Sequence, residues 1–397
     1  MEKPDNVWNS NVPVETSSYL QDDEISFFNL DDFSFDTNKP TMIDLFCGAG
    51  GFSVGCSWSG YQAVFGVDHF KPAMETWVHN HPHSIGCLGD IRKVQAENIH
   101  KLLKSKGVDK IDLLTGGVPC QGFTIANRKH NDFDERNFLY IEYMKYVREF
   151  KPTVIVLENV SGMRSTAGGH FEKEIKSQME ELGYDTKVTM LNAAEFGVPQ
   201  QRQRLIFVGF RKDVRRREFY FPKPIFSTEK FRTVGDAFSD LPPLKASEQS
   251  TEYLSAPKNE YQSLLRGEGI ISEIARPEKL FNHVAPNHPQ STIDLIAAAK
   301  PGEPMYDKFK QRIRLSNDKP SPTQLAGGIR PSFQFGHPSE PRGLTTRERA
   351  RIQSFPDSYV FKGGIVQERV QTGNAVPPLL VHHLMMAIKE ALIPETT

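Results

Sequence analysis

Cys120 stands in Gly117-Val118-Pro119-Cys120-Gln121-Gly122, a stiff turn of small and cyclic residues that would hold one thiol at the end of a strand. A cysteine is chemically idle unless it is accessible and its surroundings favour the thiolate, and two other segments offer the groups such a thiol needs. In Leu157-Glu158-Asn159-Val160 an apolar run ends in Glu158, and a carboxyl in a closed pocket can stay protonated and serve as an acid. Without that role, a buried Glu158 calls for an arginine partner. Pro199-Gln200-Gln201-Arg202-Gln203-Arg204 precedes the apolar run Leu205–Val208, and strand alternation puts Arg202 and Arg204 on one side of it. That is an expensive place for guanidinium groups without partners.

A second constellation begins at Asp44-Leu45-Phe46-Cys47-Gly48-Ala49-Gly50-Gly51-Phe52, where an apolar run meets a glycine-rich turn that opens a helix. Missing side chains let backbone N–H groups approach a nucleotide-type ligand, although the spacing is not the dinucleotide G-x-G-x-x-G. Asp68 ends the next strand, where a carboxylate can accept ribose hydroxyls, and Asp90 in Gly89-Asp90-Ile91 is placed to accept an adenine amino group.

These groups need a scaffold that gathers strand ends. Apolar runs at Met42–Phe46, Ala63–Val67, Ile111–Leu114, Thr153–Leu157, Val188–Leu191 and Leu205–Val208 read as buried strands, with helical patterns at Val94–Lys104, Phe138–Glu149 and Phe171–Leu182 between them. The alternation predicts an α/β fold with a mostly parallel sheet covered by helices on both faces and ligands at the carboxyl ends of the strands. After Phe210 the pattern breaks into a Pro-, Lys- and Arg-rich stretch, which predicts a second, smaller lobe; regular structure returns at Thr345–Phe355 and in the helix Leu379–Leu392 opened by Pro377-Pro378.

Bulk properties narrow the classes. No apolar run approaches the roughly 18 residues of a membrane span, and no basic-apolar leader opens the chain, so the expected setting is cytoplasmic and nucleoid-associated without membrane contact. The four cysteines, Cys47, Cys56, Cys87 and Cys120, form neither a disulfide framework nor a zinc pattern. The histidines at 79, 81, 83, 382 and 383 complete no metal site, and no metal is expected. The net charge of −1 hides an asymmetry: residues 1–40 hold nine acidic against two basic residues, a tail of −7, which leaves +6 on the rest. That tail reads as largely mobile, a solvated extension or a competitor for a basic cleft.

In order along the chain, DLFCGAGG at 44–51, GDI at 89–91, PCQ at 119–121, RNFLY at 136–140, ENV at 158–160, QQRQR at 200–204, RERARIQSFPD at 347–357 and GNAVPP at 373–378 resemble the cytosine-5 DNA methyltransferase family of bacterial type, everywhere from 41 to 392 except the variable lobe. The resemblance implies a Rossmann-like methyltransferase domain from 41–212 and 340–397, a target-recognition domain from 213–339, double-stranded DNA as partner and S-adenosylmethionine as methyl donor. It further implies a flipped cytosine whose C6 is attacked by Cys120, Glu158 at N3 and the exocyclic amine, and Arg204 at O2. C5 then takes the methyl group, and loss of its proton releases Cys120. Phe46, Gly48, Ala49, Gly50, Gly51, Asp68, His69, Asp90, Ile91, Pro119, Leu139, Asn374, Ala375 and Val376 would line the donor site. Gln121, Phe123, Thr124 and Arg136 would meet DNA, with Gln200 and Arg202 supporting the catalytic loop and the flipped nucleotide. Asp68 stands where a longer Glu is common and His69 where an aromatic residue often covers adenine. Val118 replaces a frequent Pro or Phe, Thr124 a frequent Ser, and Ala375 a frequent Ser.

The basic run Arg211, Lys212, Arg215, Arg216 and Arg217 leads into the second lobe and suits phosphate contact. The expected protein is a monomer acting in a restriction-modification context, with a cognate endonuclease as functional partner and not as part of a complex. Two other readings compete. One is a tRNA cytosine methyltransferase, suggested by Phe123-Thr124 and opposed by the intact QQRQR and the roughly one hundred residues inserted before Arg347. The other is an inert DNA-binding relative, opposed by the retention of Cys120, Glu158 and Arg204.

Overall fold

A computed structural model describes residues 25–119, 139–164, 169–326 and 334–394. Along the chain the principal strands are β1 (Ser26–Phe28), β2 (Thr41–Leu45), β3 (Gln62–Asp68), β4 (Ile85–Leu88), β5 (Leu113–Gly117), β6 (Val154–Val160), β7 (Tyr184–Asn192) and β8 (Gln203–Arg211). They form one sheet in the order β1-β4-β3-β2-β5-β6-β8-β7. Pairs from β4 across to β6 are parallel, whereas β8 runs antiparallel between β6 and β7, and β1 closes the far edge antiparallel to β4. The strand order turns at β2 and β5, so the crevice for a ligand opens beyond the carboxyl ends of those two strands.

Period-two alternation sorts the strand residues onto the two faces. Met42, Val156 and Val208 join the core cluster on one face with α1 (Gly51–Ser57) and the C-terminal helix α11 (Pro378–Leu392). Ile43, Ile155 and Phe207 join the other, under α3 (Ala96–Ser105), α4 (Leu139–Phe150) and α5 (His170–Glu181). Both faces are covered, as the apolar runs predict.

One expectation is corrected. Residues 25–40 of the acidic tail fold onto the sheet: β1 pairs with β4, and Leu30, Phe33 and Phe35 pack against the α3–α5 core. Aromatic side chains spaced along an acidic segment supply the apolar area that the charge count conceals. The second lobe builds much of its interior into the core of the sheet and keeps a small apolar cluster of its own around Ile296 and Met305. Its short helices α6 (Val234–Phe238) and α7 (Glu260–Leu265) contribute Val234, Phe238, Tyr261 and Leu265 to the cluster that holds Met42 and Val156. The remaining described elements there are α8 (Gln290–Ala298), β9 (Ile313–Arg314) and β10 (Phe335–Gly336).

What joins lobe to sheet is the helix α9 (Thr346–Ile352), every residue of which is buried although three are arginines. Thr345 and Glu348 form its capping box. Arg347 donates to the carbonyls of Phe281, Pro356 and Tyr359, and Arg349 reaches Thr372 Oγ1 and the Leu325 and Arg369 carbonyls. Arg351 is held between two fully buried carboxylates, Asp240 of the second lobe and Asp357, the latter at 2.6 Å. Removing one member of a buried ion pair strands the other, at about 3–5 kcal/mol. Arg351→Ala should therefore lower the unfolding free energy by about that amount in urea titrations, since Asp240 keeps a longer contact with Arg266, and Asp357 keeps contacts with Arg347 and the Tyr253 hydroxyl.

Candidate active site

Glu158 stands at the carboxyl end of β6 and pairs across the ladder with Ile206, while Val160 pairs with Arg204. Arg204 is thus the diagonal neighbour of Glu158 on one face, within reach of a long side chain. Its Nε lies 2.6 Å from Glu158 Oε1, and both side chains are about nine-tenths buried. The contact is an ion pair whose Nε–H is not aligned as a hydrogen bond, while Nη1 donates to the Gln203 carbonyl at 2.7 Å. Burial raises the Glu158 pKa, and the charges of Arg204 and Arg202 pull against it without cancelling it. A carboxyl so balanced can hold or release a proton at small cost.

The sheet brings the thiol turn to the same place. Gly117, the last residue of β5, pairs with Glu158, and a Cβ on it would come within 3.4 Å of Glu158 Oε2. Asn159 Nδ2 donates to the Val118 carbonyl at 3.2 Å, which fastens the turn as it leaves the strand. Pro119 is the last described residue there; Cys120, Gln121, Phe123, Thr124 and Arg136 lie outside the described residues.

Two strands away, the β2–α1 turn takes the left-handed backbone region three times in five residues, at Phe46 (φ +54°), Gly48 (+51°) and Gly50 (+86°). A non-glycine residue in that region costs of order 1–3 kcal/mol and marks functional turns. A Cβ on Gly48 would project into open space, whereas on Gly51 it would strike the Val376 carbonyl at 2.2 Å. The turn is therefore cradle on one side and tightly packed on the other. Asp68 Oδ2 accepts from Gly48 N–H at 2.9 Å and Oδ1 from Phe70 N–H at 2.8 Å, with His69 Nδ1 3.6 Å from Oδ1. Asp90 has both oxygens engaged by Arg92 Nε, so its expected adenine contact would have to compete with that pair. Ile91, Ala375 and Val376 are buried, Leu139 is half-buried, and Asn374 is exposed at the end of α10 (Ile365–Asn374).

Gln200 and Arg202, expected to support the catalytic loop and the flipped nucleotide, are fully buried struts. Gln200 Nε2 donates to Gln353 Oε1 and its Oε1 accepts from Gln324 N–H, while Arg202 donates to the Gln324 and Gly373 carbonyls at 3.1 and 2.8 Å. The basic run is displaced further. Because β8 is reversed, Arg211 pairs with Tyr184 seven residues along from Arg204, about 23 Å away at the opposite sheet edge. There Arg211 is paired with Asp213 and Arg216 with Asp185, and the Arg217 N–H is tied to the Ala391 carbonyl at the end of α11. Reversal of the strand, which its apolar pattern does not reveal, removes this run from the crevice.

The sequence reading also missed a floor beneath the glycine turn. Asp44 is fully buried and accepts from Ser53 Oγ (2.6 Å), Ser53 N–H (3.2 Å) and Thr115 Oγ1 (2.8 Å). Ser53 Oγ in turn accepts from Trp77 Nε1 at 2.9 Å, and the Trp77 ring packs tilted against His81 with centroids 4.7 Å apart. Trp77 and His81, one helical turn apart, are the signal that was available. Burial keeps His81 neutral, its pKa down to about 4, and raises Asp44 to about 6.

The family pattern of C-5 cytosine-specific DNA methylases matches residues 40–390. Type II methyltransferase M1.HphI of Haemophilus parahaemolyticus is 34% identical over 369 residues, 90% of this chain and 87% of that protein. M.DdeI of Desulfomicrobium norvegicum is 33% identical over 375 residues, 86% and 87% of the two chains. A crystal structure of a putative DNA modification methyltransferase encoded within an E. coli prophage superposes with a TM-score of 0.74 at 27% identity, covering 89% of this chain and 99% of the other. The S. pombe Dnmt2 methyltransferase shares the fold at 16% identity, with a TM-score of 0.55 over 88% and 99% of the chains. With an α/β sheet of this order and a Glu–Arg pair beside the thiol turn, the chain belongs to the C-5 cytosine-specific DNA methylases.

The titration of the buried histidines fixes one pH dependence. His81, His288, His337 and His383 fall to about 4 in the folded chain through burial, so below about 6.5 the unfolded chain binds the extra protons. Their contribution to stability is complete above that pH and is lost as the pH falls towards 4; Asp44, raised to about 6, offsets part of the loss. Thermal melts should show a lower Tm at pH 5.0 than at 7.5, and His81→Phe should reduce that difference.

Proposed function

We propose that the chain methylates C5 of a cytosine in a specific duplex sequence as the modification half of a type II restriction-modification system, with Cys120 as nucleophile. The observation that carries this reading is the meeting of Glu158, Arg204 and the start of the Pro119-Cys120 turn at adjacent strand ends beside the glycine turn. The names of its relatives, M1.HphI and M.DdeI, support the type II setting.

The donor site fits S-adenosylmethionine, because Gly48 faces open space where a side chain would fill a cradle, and Asp68 sits at the next strand end. Phe46, Gly48, Asp68 and Val376 would hold the ligand, which supplies an electrophilic methyl group when bound. The protein residues do the rest. Cys120 adds as thiolate to C6 of the extruded base, and Glu158, whose pKa burial raises, donates to N3 while Arg204 meets O2. Electron density thereby collects at C5. Once C5 carries the methyl group, loss of its proton expels the thiolate, and a sulfur nucleophile suits both arrival and departure. We assign target recognition to residues 213–339, anchored by Ser321 and Thr323 on the Gln200–Gln201 segment, and the monomer as the acting form.

Three outcomes test this reading. DNA carrying 5-fluorocytosine should trap a covalent adduct with the wild-type chain and none with Cys120→Ser, a variant that keeps DNA binding and loses turnover. Glu158→Gln should lower kcat by roughly 10²–10⁴-fold in methyl-transfer assays. Labelled donor should mark duplex DNA; label entering tRNA alone would sink the proposal. Methylation sequencing of a methylation-free host expressing the chain would read out the target sequence.

A further inference from the structure

The glycine turn is held by more than its own sequence. With three left-handed residues in five, it has few hydrogen bonds of its own and depends on fasteners from elsewhere. Asp68 takes the Gly48 N–H, the Val67 carbonyl takes the Cys47 N–H at 3.0 Å, and the Cys47 carbonyl takes the Gly50 N–H at 2.8 Å. The Ala49 carbonyl is served from the other end of the chain, by Tyr359 Oη at 2.6 Å. Ala49 and Tyr359 are both buried, so this carbonyl would lose its only described donor if the hydroxyl were removed.

Tyr359 also forms the floor under Gly50. A Cβ at that glycine would lie 2.5 Å from Tyr359 Oη, 3.0 Å from Trp77 Cδ1 and 3.3 Å from His81 Nε2. The tyrosine is itself fixed from the second lobe. Its carbonyl accepts from Arg347 Nη2 at 2.6 Å, Arg347 Nε donates to the Phe281 carbonyl, and Asn282 forms a two-way amide pair with the backbone of Phe361. A continuous set of directional contacts thus runs from residues 281–282 through Tyr359 to the Ala49 carbonyl.

We propose that Tyr359 is a positioning residue of the donor site: its hydroxyl, clamped to the Ala49 carbonyl, holds the Phe46–Gly51 turn in the conformation that receives the methyl donor, and so sets donor affinity. This rests on the reading of that turn as the S-adenosylmethionine site. Tyr359 does not touch the reacting atoms. It acts through backbone geometry, and its loss should change how tightly the donor is held more than how fast the methyl group moves once the site is filled.

The test uses the full chain and S-adenosylhomocysteine as calorimetric probe, with Tyr359→Phe compared against Tyr184→Phe. Tyr184 Oη donates to the Pro152 carbonyl at 2.8 Å at the opposite sheet edge, so its variant loses the same kind of buried bond far from the turn. Tyr359→Phe should raise the dissociation constant about three- to tenfold, the range expected for one neutral hydrogen bond. It should raise KM for S-adenosylmethionine in parallel and leave kcat at donor saturation within about twofold. Tyr184→Phe should leave the affinity unchanged even where its melting temperature falls as far. The inference is overturned if Tyr359→Phe binds the probe as the wild type does, or if the two variants weaken binding alike. A wild-type chain that binds no S-adenosylhomocysteine would overturn the donor-site reading itself, a result separable from the first two.

Discussion

A guanidinium removed from water must find acceptors in fixed directions, and this protein places Arg202, Arg347, Arg349 and Arg351, among others, where almost no solvent reaches. Three of them answer the demand chiefly with backbone carbonyls from segments distant in sequence, and Arg351 with two buried carboxylates from different segments. The consequence is geometric. Carbonyl acceptors do not move as side chains do, so each arginine fixes the relative position of two backbones. Arg202 ties the approach to β8 to Gly373 and therefore to the Ala375–Val376 segment that packs on the glycine turn. The substrate end and the donor end of the crevice are locked together by groups that touch neither ligand.

The same rule acts with a different outcome at Glu158 and Arg204. There the acceptor is a carboxylate at the mouth of the crevice, and burial and counter-charge press in opposite directions on its proton. Burial outweighs the charges of both Arg204 and Arg202, so the Glu158 pKa stays raised despite a guanidinium 2.6 Å away.

Much of this was readable from the chain. The apolar runs located β2, β3, β5, β6, β7 and β8 to within a few residues, because strands covered on both faces need uninterrupted apolar residues. β4 escaped because Ile-Gly-Cys-Leu is short and half small residues, and β1 because three residues cannot show a period. Alternation put Arg202 and Arg204 on one side of their strand, but it did not fix the register that makes Arg204 the diagonal neighbour of Glu158. Nor did it fix strand direction, since an apolar run reads the same both ways. The partners of Gln200 and Arg202 were unreadable for a related reason: Gln353, Gln324 and Gly373 lie far from them in the sequence. The floor of Trp77, His81 and Tyr359 joins positions nearly three hundred residues apart, a distance over which local pattern carries no information.

The reversal of β8 has a further effect. By turning one strand around, the chain leaves the sheet on the side away from the crevice and comes back through α9, so the segment between is a detour, fastened to the core at points such as Val234, Tyr261 and Ser321. Residues can be added to or taken from such a detour without shifting any register in the sheet. On the proposed assignment of target recognition to that detour, the part that reads sequence can change in length while the sheet that carries Glu158 and Arg204 stays put.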